Sequence, residues 1–214
     1  MKRYIFLLRH GETEYGKEKR YLGHTDCKLS KDGKNQAKYL ARIFEKHRMV
    51  IDSIFSSDLI RCKNTINIVF PEREVTFLGQ LREINMGEWD GLTFHEVKNK
   101  YAEDYKNRGE NIAEFTPENG ESFNQCQKRA VTVFNEIINS TRGNIVICSH
   151  AGFIRALLCS LSNIDLINMF NIKQNYGCVN IITVEGHNVL VEGINLNSIN
   201  KDQLSIINDK NGKN

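Results

Sequence analysis

Proline is nearly absent from this chain. Its 214 residues include only Pro71 and Pro117, so Pro-rich linkers are excluded. Long apolar runs are absent too, and nothing approaches the ~20 residues of a membrane span. Basic Lys2 and Arg3 precede the apolar run Tyr4–Leu8, but that run is shorter than the ~7–15-residue core of a signal peptide. The expected location is therefore the cytoplasm. Neither sign of charge dominates. With 29 basic and 26 acidic residues the net charge is +3, and no segment concentrates the basic ones, so no nucleic-acid partner is expected. The six cysteines, Cys27, Cys62, Cys126, Cys148, Cys159 and Cys178, form no C-x-x-C and no zinc-ligand spacing. They read as small buried hydrophobes in a reducing compartment, and no metal or cofactor is expected.

What is present fits a soluble globular chain, with 40% apolar and 26% charged residues. The length suits one domain, which buries roughly 70% of its unfolded surface and needs no disulfide or metal staple. The expected organisation is a single domain over 1–196, a small cap around 93–123, and a polar, frayed tail over 197–214.

Runs rich in β-branched residues alternate with helical periodicity. Tyr4–Leu8, Ile51–Ser56, Val75–Leu78 and Asn144–Cys148 read as strands, and Val179–Val184 with Asn188–Ile194 as a hairpin across Glu185-Gly186-His187. Ser30 is placed to cap a helix whose stripe is Ala37, Leu40, Ala41 and Phe44. Leu59, Cys62, Ile66, Val69 and Phe70 form a second stripe, stopped by Pro71. Thr93–Glu96 and Ser122–Gln125 have capping-box form, the latter opening a stripe through Ile137, and Ala151–Leu161 is a further helix. Alternating strand and helix predicts an α/β fold, a mostly parallel sheet with helices on both faces.

Ligands of such sheets bind beyond the carboxyl ends of the strands. The residues there are Arg9-His10-Gly11-Glu12-Thr13, Ser56-Ser57-Asp58-Leu59-Ile60-Arg61 and Ser149-His150-Ala151-Gly152. Three motif readings fail at this rim and nearby. Gly11 to Lys17 has P-loop spacing, but Glu18 stands where magnesium needs Ser or Thr, and no apolar helical pattern follows. Six residues separate Cys148 from Arg155, one too many for a cysteine-phosphatase loop. His95-Glu96 lacks the second histidine of a zinc protease, since position 99 is Asn99. What survives is a pair of histidines, His10 and His150, with two arginines, Arg9 and Arg61. Either histidine alone would be an ordinary strand-end residue. Together with two guanidinium forks that match phosphate oxygens, they make a poor core and a good anion pocket. Thr13 and Ser57 add hydroxyl donors or act as surface caps.

Arg9-His10-Gly11-Glu12-Thr13 resembles the signature of the histidine phosphatase superfamily, the phosphoglycerate-mutase-like branch. Supporting blocks follow in family order over about residues 3–195. They are Tyr21-Leu22-Gly23-His24-Thr25, Ser56 to Arg61 with Thr65, Leu81-Arg82-Glu83-Ile84 running to Gly87-Glu88-Trp89-Asp90-Gly91, and Ser149 to Gly152. The resemblance implies that His10 attacks phosphorus and becomes a phosphohistidine, while Arg9, Arg61 and His150 hold the phosphoryl oxygens. It implies that Glu83 protonates the leaving alkoxide and then deprotonates the hydrolytic water. A carboxylate beside bound phosphate is disfavoured as an anion, which suits it to carry that proton. Arg9, Thr13, Gly23, Arg61, Glu83 and Ala151 are the implied substrate contacts, and the cations are side chains. The family's Asn at position 16 is Gly16 here, so a backbone amide substitutes or one phosphate contact is missing.

Within the superfamily the chain is most similar to the alpha-ribazole phosphatases of cobalamin assembly, in Tyr21 to His24, Pro117 to Phe123, Arg129 and Gln174 to Cys178. The implied substrate is a small-molecule phosphomonoester, alpha-ribazole 5′-phosphate. The alternatives are a broad-specificity histidine phosphatase, a cofactor-dependent phosphoglycerate mutase and a non-catalytic phosphate-binding module. Only 25 residues separate Gly91 from Pro117, short for a mutase. The cap aromatics Phe94, Tyr101, Tyr105 and Phe115, with Trp89 before them, either stack on a heteroaromatic base or pack the cap onto the domain. The segment from Thr93 to Phe123 lacks a concentrated cluster of extra basic residues, so a monophosphate carrying a ribose and an aromatic base fits better than a bisphosphate or a glycolytic acid.

Overall fold

The computed structural model describes residues 2–197, so the polar tail expected over 197–214 lies, from residue 198 on, outside the described residues. Twelve main elements follow one another among them. They are β1 (Arg3–Arg9), α1 (Lys31–Lys46), β2 (Ser53–Ser57), α2 (Ile60–Val69), β3 (Thr76–Leu78), α3 (Phe94–Lys100), α4 (Ala102–Glu110), α5 (Phe123–Ser140), β4 (Ile145–Ser149), α6 (Ala151–Leu161), β5 (Val179–Glu185) and β6 (Asn188–Leu196). One six-stranded sheet runs β3-β2-β4-β1-β5-β6. Its first four strands are parallel, while β5 is antiparallel to β1 and β6 to β5. The mixed, mostly parallel α/β sheet is the architecture that the alternating strands and helices predict.

Side-chain alternation explains why β1 is apolar throughout. Ile5 and Leu7 join one core with Phe134 of α5 and Leu158 of α6. Tyr4, Phe6 and Leu8 face the other core, with Leu40 of α1 and Ile66 of α2. Both faces are thus covered, as a buried parallel strand requires. Ser30, Thr93 and Ser122 cap α1, α3 and α5, the last two in full capping boxes, each cap worth ~1 kcal/mol.

Strand ends differ from the expected ones by one or two residues. Ile51 and Asp52 are not in β2, because the Asp52 amide and carboxylate both bond the backbone of Asn144. That polar knot closes the sheet below β2 and β4. Helix α4 gives no apolar stripe and buries none of its residues. Its place is fixed by rings: Tyr101 and Tyr105 pack around the buried Trp89, which also meets Phe115. Among the described residues, no helix is long and apolar enough to cross a membrane.

Candidate active site

The carboxyl ends of β1, β2 and β4 open into a cavity of about 430 Å³. Strand β1 delivers Arg9 and then His10. The first turn of α2 delivers Arg61, and the loop after the 79–81 turn delivers Glu83. His150 caps α6 directly after β4. Arg9, His10, Thr13, Arg61, Glu83 and Ala151 all line the cavity. His150 does not. It lies behind His10, their ring centroids 5.0 Å apart.

Hydrogen bonds fix the tautomers. The His10 Nδ1–H donates to the Gly11 carbonyl at 2.7 Å, leaving Nε2 with its lone pair. Burial, and then the charges of Arg61 and Arg9, hold the His10 pKa well below the usual 6.5, so the ring is neutral at pH 7 and competent as a nucleophile. His150 accepts from Arg61 Nε on Nδ1 at 3.1 Å, so its proton is on Nε2, which donates to Ser57 Oγ at 2.8 Å. Its pKa is likewise lowered, by burial and then by Arg61. The two ring nitrogens of His150, expected among the phosphate ligands, thus meet Ser57 and Arg61, and the ring holds Arg61 by its Nε. That guanidinium also donates to the carbonyls of Thr25 and Gly23 at 2.8 and 2.7 Å. One N–H remains on each terminal nitrogen, a fork suited to two phosphoryl oxygens. Arg9 is anchored on the Gln174 carbonyl and lies 3.7 Å over the Tyr176 ring.

Two buried histidines held neutral set a pH signature. The unfolded chain binds these protons near pH 6.5 while the folded chain resists them to lower pH. Stability is therefore full above about pH 6.5 and is lost as pH falls below it. Thermal unfolding between pH 8 and 5 should show this loss, and His150→Gln should flatten it. A profile flat across that range in the unmodified chain would mean that neither histidine is buried neutral.

Glu83 is held by the start of α6. Its Oε1 accepts from the amides of Ile84 and Phe153 at 3.0 and 2.9 Å, and Oε2 from that of Gly152 at 3.0 Å. The bonds fit the positive end of the helix dipole. Only glycine permits the approach at 152, since a Cβ there would sit 2.6 Å from Glu83 Oε1. Gly152→Ala should displace the carboxylate and cut turnover of alkyl phosphates by about a hundredfold. Thermal stability should fall somewhat as well, because the displaced carboxylate leaves the amides of Ile84, Gly152 and Phe153 without their acceptor. Unchanged turnover in a folded Gly152→Ala enzyme would remove Glu83 from the chemistry.

The remaining expected contacts divide. Thr13 is buried at the cavity wall with Oγ1 lacking a hydrogen bond among the described residues. Ala151 is the first residue of α6, so its amide has no intrahelical acceptor. Both can serve a phosphoryl oxygen. Gly23 cannot do so with its amide, which donates to Asp90 Oδ1 at 3.0 Å. Its carbonyl supports Arg61 instead. Gly16 does not replace the missing Asn: its amide donates to the Thr13 carbonyl at 2.8 Å, and it does not line the cavity.

Three further arginines reach the cavity, of which only Arg108 belongs to the segment 93–123. Arg20, Arg108 and Arg155 line the same cavity, brought together from a loop, α4 and α6. Arg155 was legible in principle, four residues from Ala151 on one helical face. Arg108 and Arg20 were not, because nothing local announces where α4 or the loop carrying Arg20 docks. The cap aromatics split by role. Phe94 and Tyr105 line the cavity with Tyr21 and Phe123, and Tyr105 also packs on Trp89, as Tyr101 and Phe115 do.

The model for the histidine phosphatase superfamily (branch 1) matches residues 5–197. The chain is 31% identical over 196 residues to phosphoserine phosphatase 1 of Hydrogenobacter thermophilus, covering 90% of this chain and 92% of that one. It is 27% identical to the adenosylcobalamin/alpha-ribazole phosphatase of Salmonella typhimurium, over 84% and 90% of the two chains. In fold, the alpha-ribazole phosphatase of Shigella flexneri superposes with a TM-score of 0.84 at 24% identity, covering 92% and 98%.

Proposed function

The chain belongs to the histidine phosphatase superfamily, branch 1, and is a phosphatase; we propose that it hydrolyses phosphomonoesters without a metal ion, through a phosphohistidine on His10. The observation that supports this most is the locked, neutral His10 ring between two arginines in the cavity wall. Nε2 attacks phosphorus as the ester P–O bond breaks. The free N–H groups of Arg61, the Arg9 guanidinium, the Thr13 hydroxyl and the Ala151 amide neutralise the oxygens as charge builds on them. Glu83 gives its proton to the leaving alkoxide. It then takes one from the water that attacks the phosphohistidine, which returns His10 and releases inorganic phosphate. Since side chains supply the positive charge, EDTA should leave activity unchanged and vanadate should inhibit. Activity lost to EDTA and restored by magnesium would refute the metal-free reading.

For the substrate we propose alpha-ribazole 5′-phosphate. Supporting it are the rings of Tyr21, Phe94, Tyr105 and Phe123 in the cavity wall, suited to a flat base, and the similarity to alpha-ribazole phosphatases. A second reading rests on Arg108. This arginine lies 5.3 Å over the Tyr21 ring and, among the described residues, has no carboxylate partner. A phosphomonoester with its own carboxylate, such as phosphoserine, would supply one, and a relative carries that substrate in its name. Phosphate release over a panel with both compounds, 3-phosphoglycerate and simple sugar phosphates separates them. The first reading expects the highest kcat/KM on alpha-ribazole 5′-phosphate and little effect of Arg108→Met on it. The second expects phosphoserine to lead and Arg108→Met to cost it about tenfold or more. Equal rates across the panel indicate broad specificity, interconversion of 3- and 2-phosphoglycerate a mutase, and no release a binding module.

A further inference from the structure

We propose that Asp90 is a positioning residue for the phosphoryl-transfer step, acting on Arg61 through the loop 23–25. The inference rests on the proposed role of Arg61 in holding phosphoryl oxygens. Asp90 does not line the cavity, yet its carboxylate accepts three amides of that one loop. Oδ1 accepts from the Gly23 amide at 3.0 Å, and Oδ2 from the His24 and Thr25 amides at 2.6 and 3.1 Å. Three successive amides converging on one carboxylate turn the opposite side of the loop toward α2. There the carbonyls of Gly23 and Thr25 accept the two terminal nitrogens of Arg61.

The arrangement decides which N–H groups of Arg61 are spent and which remain for a ligand. A guanidinium is a rigid fork, so fixing one N–H on each terminal nitrogen fixes the direction of the other. His150 on Nε completes the frame. Gly23 is required at the turn, because a Cβ there would lie 2.7 Å from the Ile84 carbonyl and 2.8 Å from the Met86 amide. The same loop also touches the acid. The His24 ring donates from Nε2 to the Glu83 carbonyl at 3.0 Å. One half-buried aspartate thus keeps the phosphate-holding cation in register and supports the proton donor's backbone.

The test is a double-mutant cycle on the full chain, reading kcat/KM for p-nitrophenyl phosphate and the vanadate inhibition constant. In Asp90→Asn an amide NH₂ replaces one acceptor oxygen and opposes a loop N–H, so the loop must shift. Asp90→Asn should lower kcat/KM and weaken vanadate by about tenfold or more in the wild-type background. In the Arg61→Ala background the same change should cost less than about threefold, since the residue it acts through is gone. If Asp90→Asn does not fold, Asp90→Glu keeps the charge, crowds the loop by one methylene and should show the same coupling. Equal losses in both backgrounds, or vanadate binding unaltered in the wild-type background, would overturn the proposal. An Arg61→Ala enzyme as active as wild type would instead overturn the role given to Arg61 itself.

Discussion

Replacing His10 by Ala should abolish phosphatase turnover, a loss of about 10⁴-fold or more. The size follows from what the ring does. Its Nε2 is uncharged and carries a free lone pair, and the ring is held on its opposite side by the bond from Nδ1 to Gly11. No neighbour among the described residues can take over. Both nitrogens of His150 are occupied, by Arg61 and Ser57. The Thr13 hydroxyl has no base beside it, and the buried Cys62 thiol is pushed well above its usual pKa by burial. Binding should survive, because the arginines remain, so His10→Ala should still bind vanadate or substrate. A His10→Ala enzyme turning over within about tenfold of wild type would exclude covalent catalysis at this position.

Glu83→Gln has the second-largest expected effect, and the effect depends on the substrate. Oε1 of Glu83 already accepts two backbone amides, whereas Oε2 accepts only that of Gly152. Oε2 therefore keeps a free lone pair and is the oxygen through which the proposed proton transfer would run. The substitution would place an NH₂ there, facing the Gly152 amide and unable to donate to an alkoxide as an acid. Alkyl phosphates, with leaving groups that need the proton, should slow by about 10²–10⁴-fold. p-Nitrophenyl phosphate should slow far less, since nitrophenolate leaves without help. Equal losses on both esters would mean that Glu83 positions phosphate or water and is not the acid.

The frame was legible because it is written in local pattern. Continuous apolar β1, the serine and threonine caps and the rim after each strand all follow from residues within one turn or strand of each other. Arg9, His10, Thr13, Arg61, Glu83 and Ala151 do share one cavity. Division of labour among them was not legible. Whether His150 faces a ligand or Arg61 depends on which nitrogens are already bonded, and whether Gly23 offers an amide depends on Asp90, 67 positions away in sequence. The substrate end was the least legible. Helix α4 has no apolar face, and its arginine reaches the cavity only because Tyr101 and Tyr105 dock on Trp89. Arg20 and Arg155, distant from the segment 93–123 in sequence, reach the same cavity only through the fold.

Covalent trapping tests the central claim most directly. Wild-type enzyme mixed with labelled phosphomonoester and quenched in base within one turnover should carry the phosphoryl group. The label should be stable in base, lost in acid, and map by peptide mass to His10. The same quench of His10→Ala should yield none. Label that survives acid, or that maps to a serine, a cysteine or His150, would contradict the mechanism, as would steady turnover in wild type with no labelled protein at any quench time.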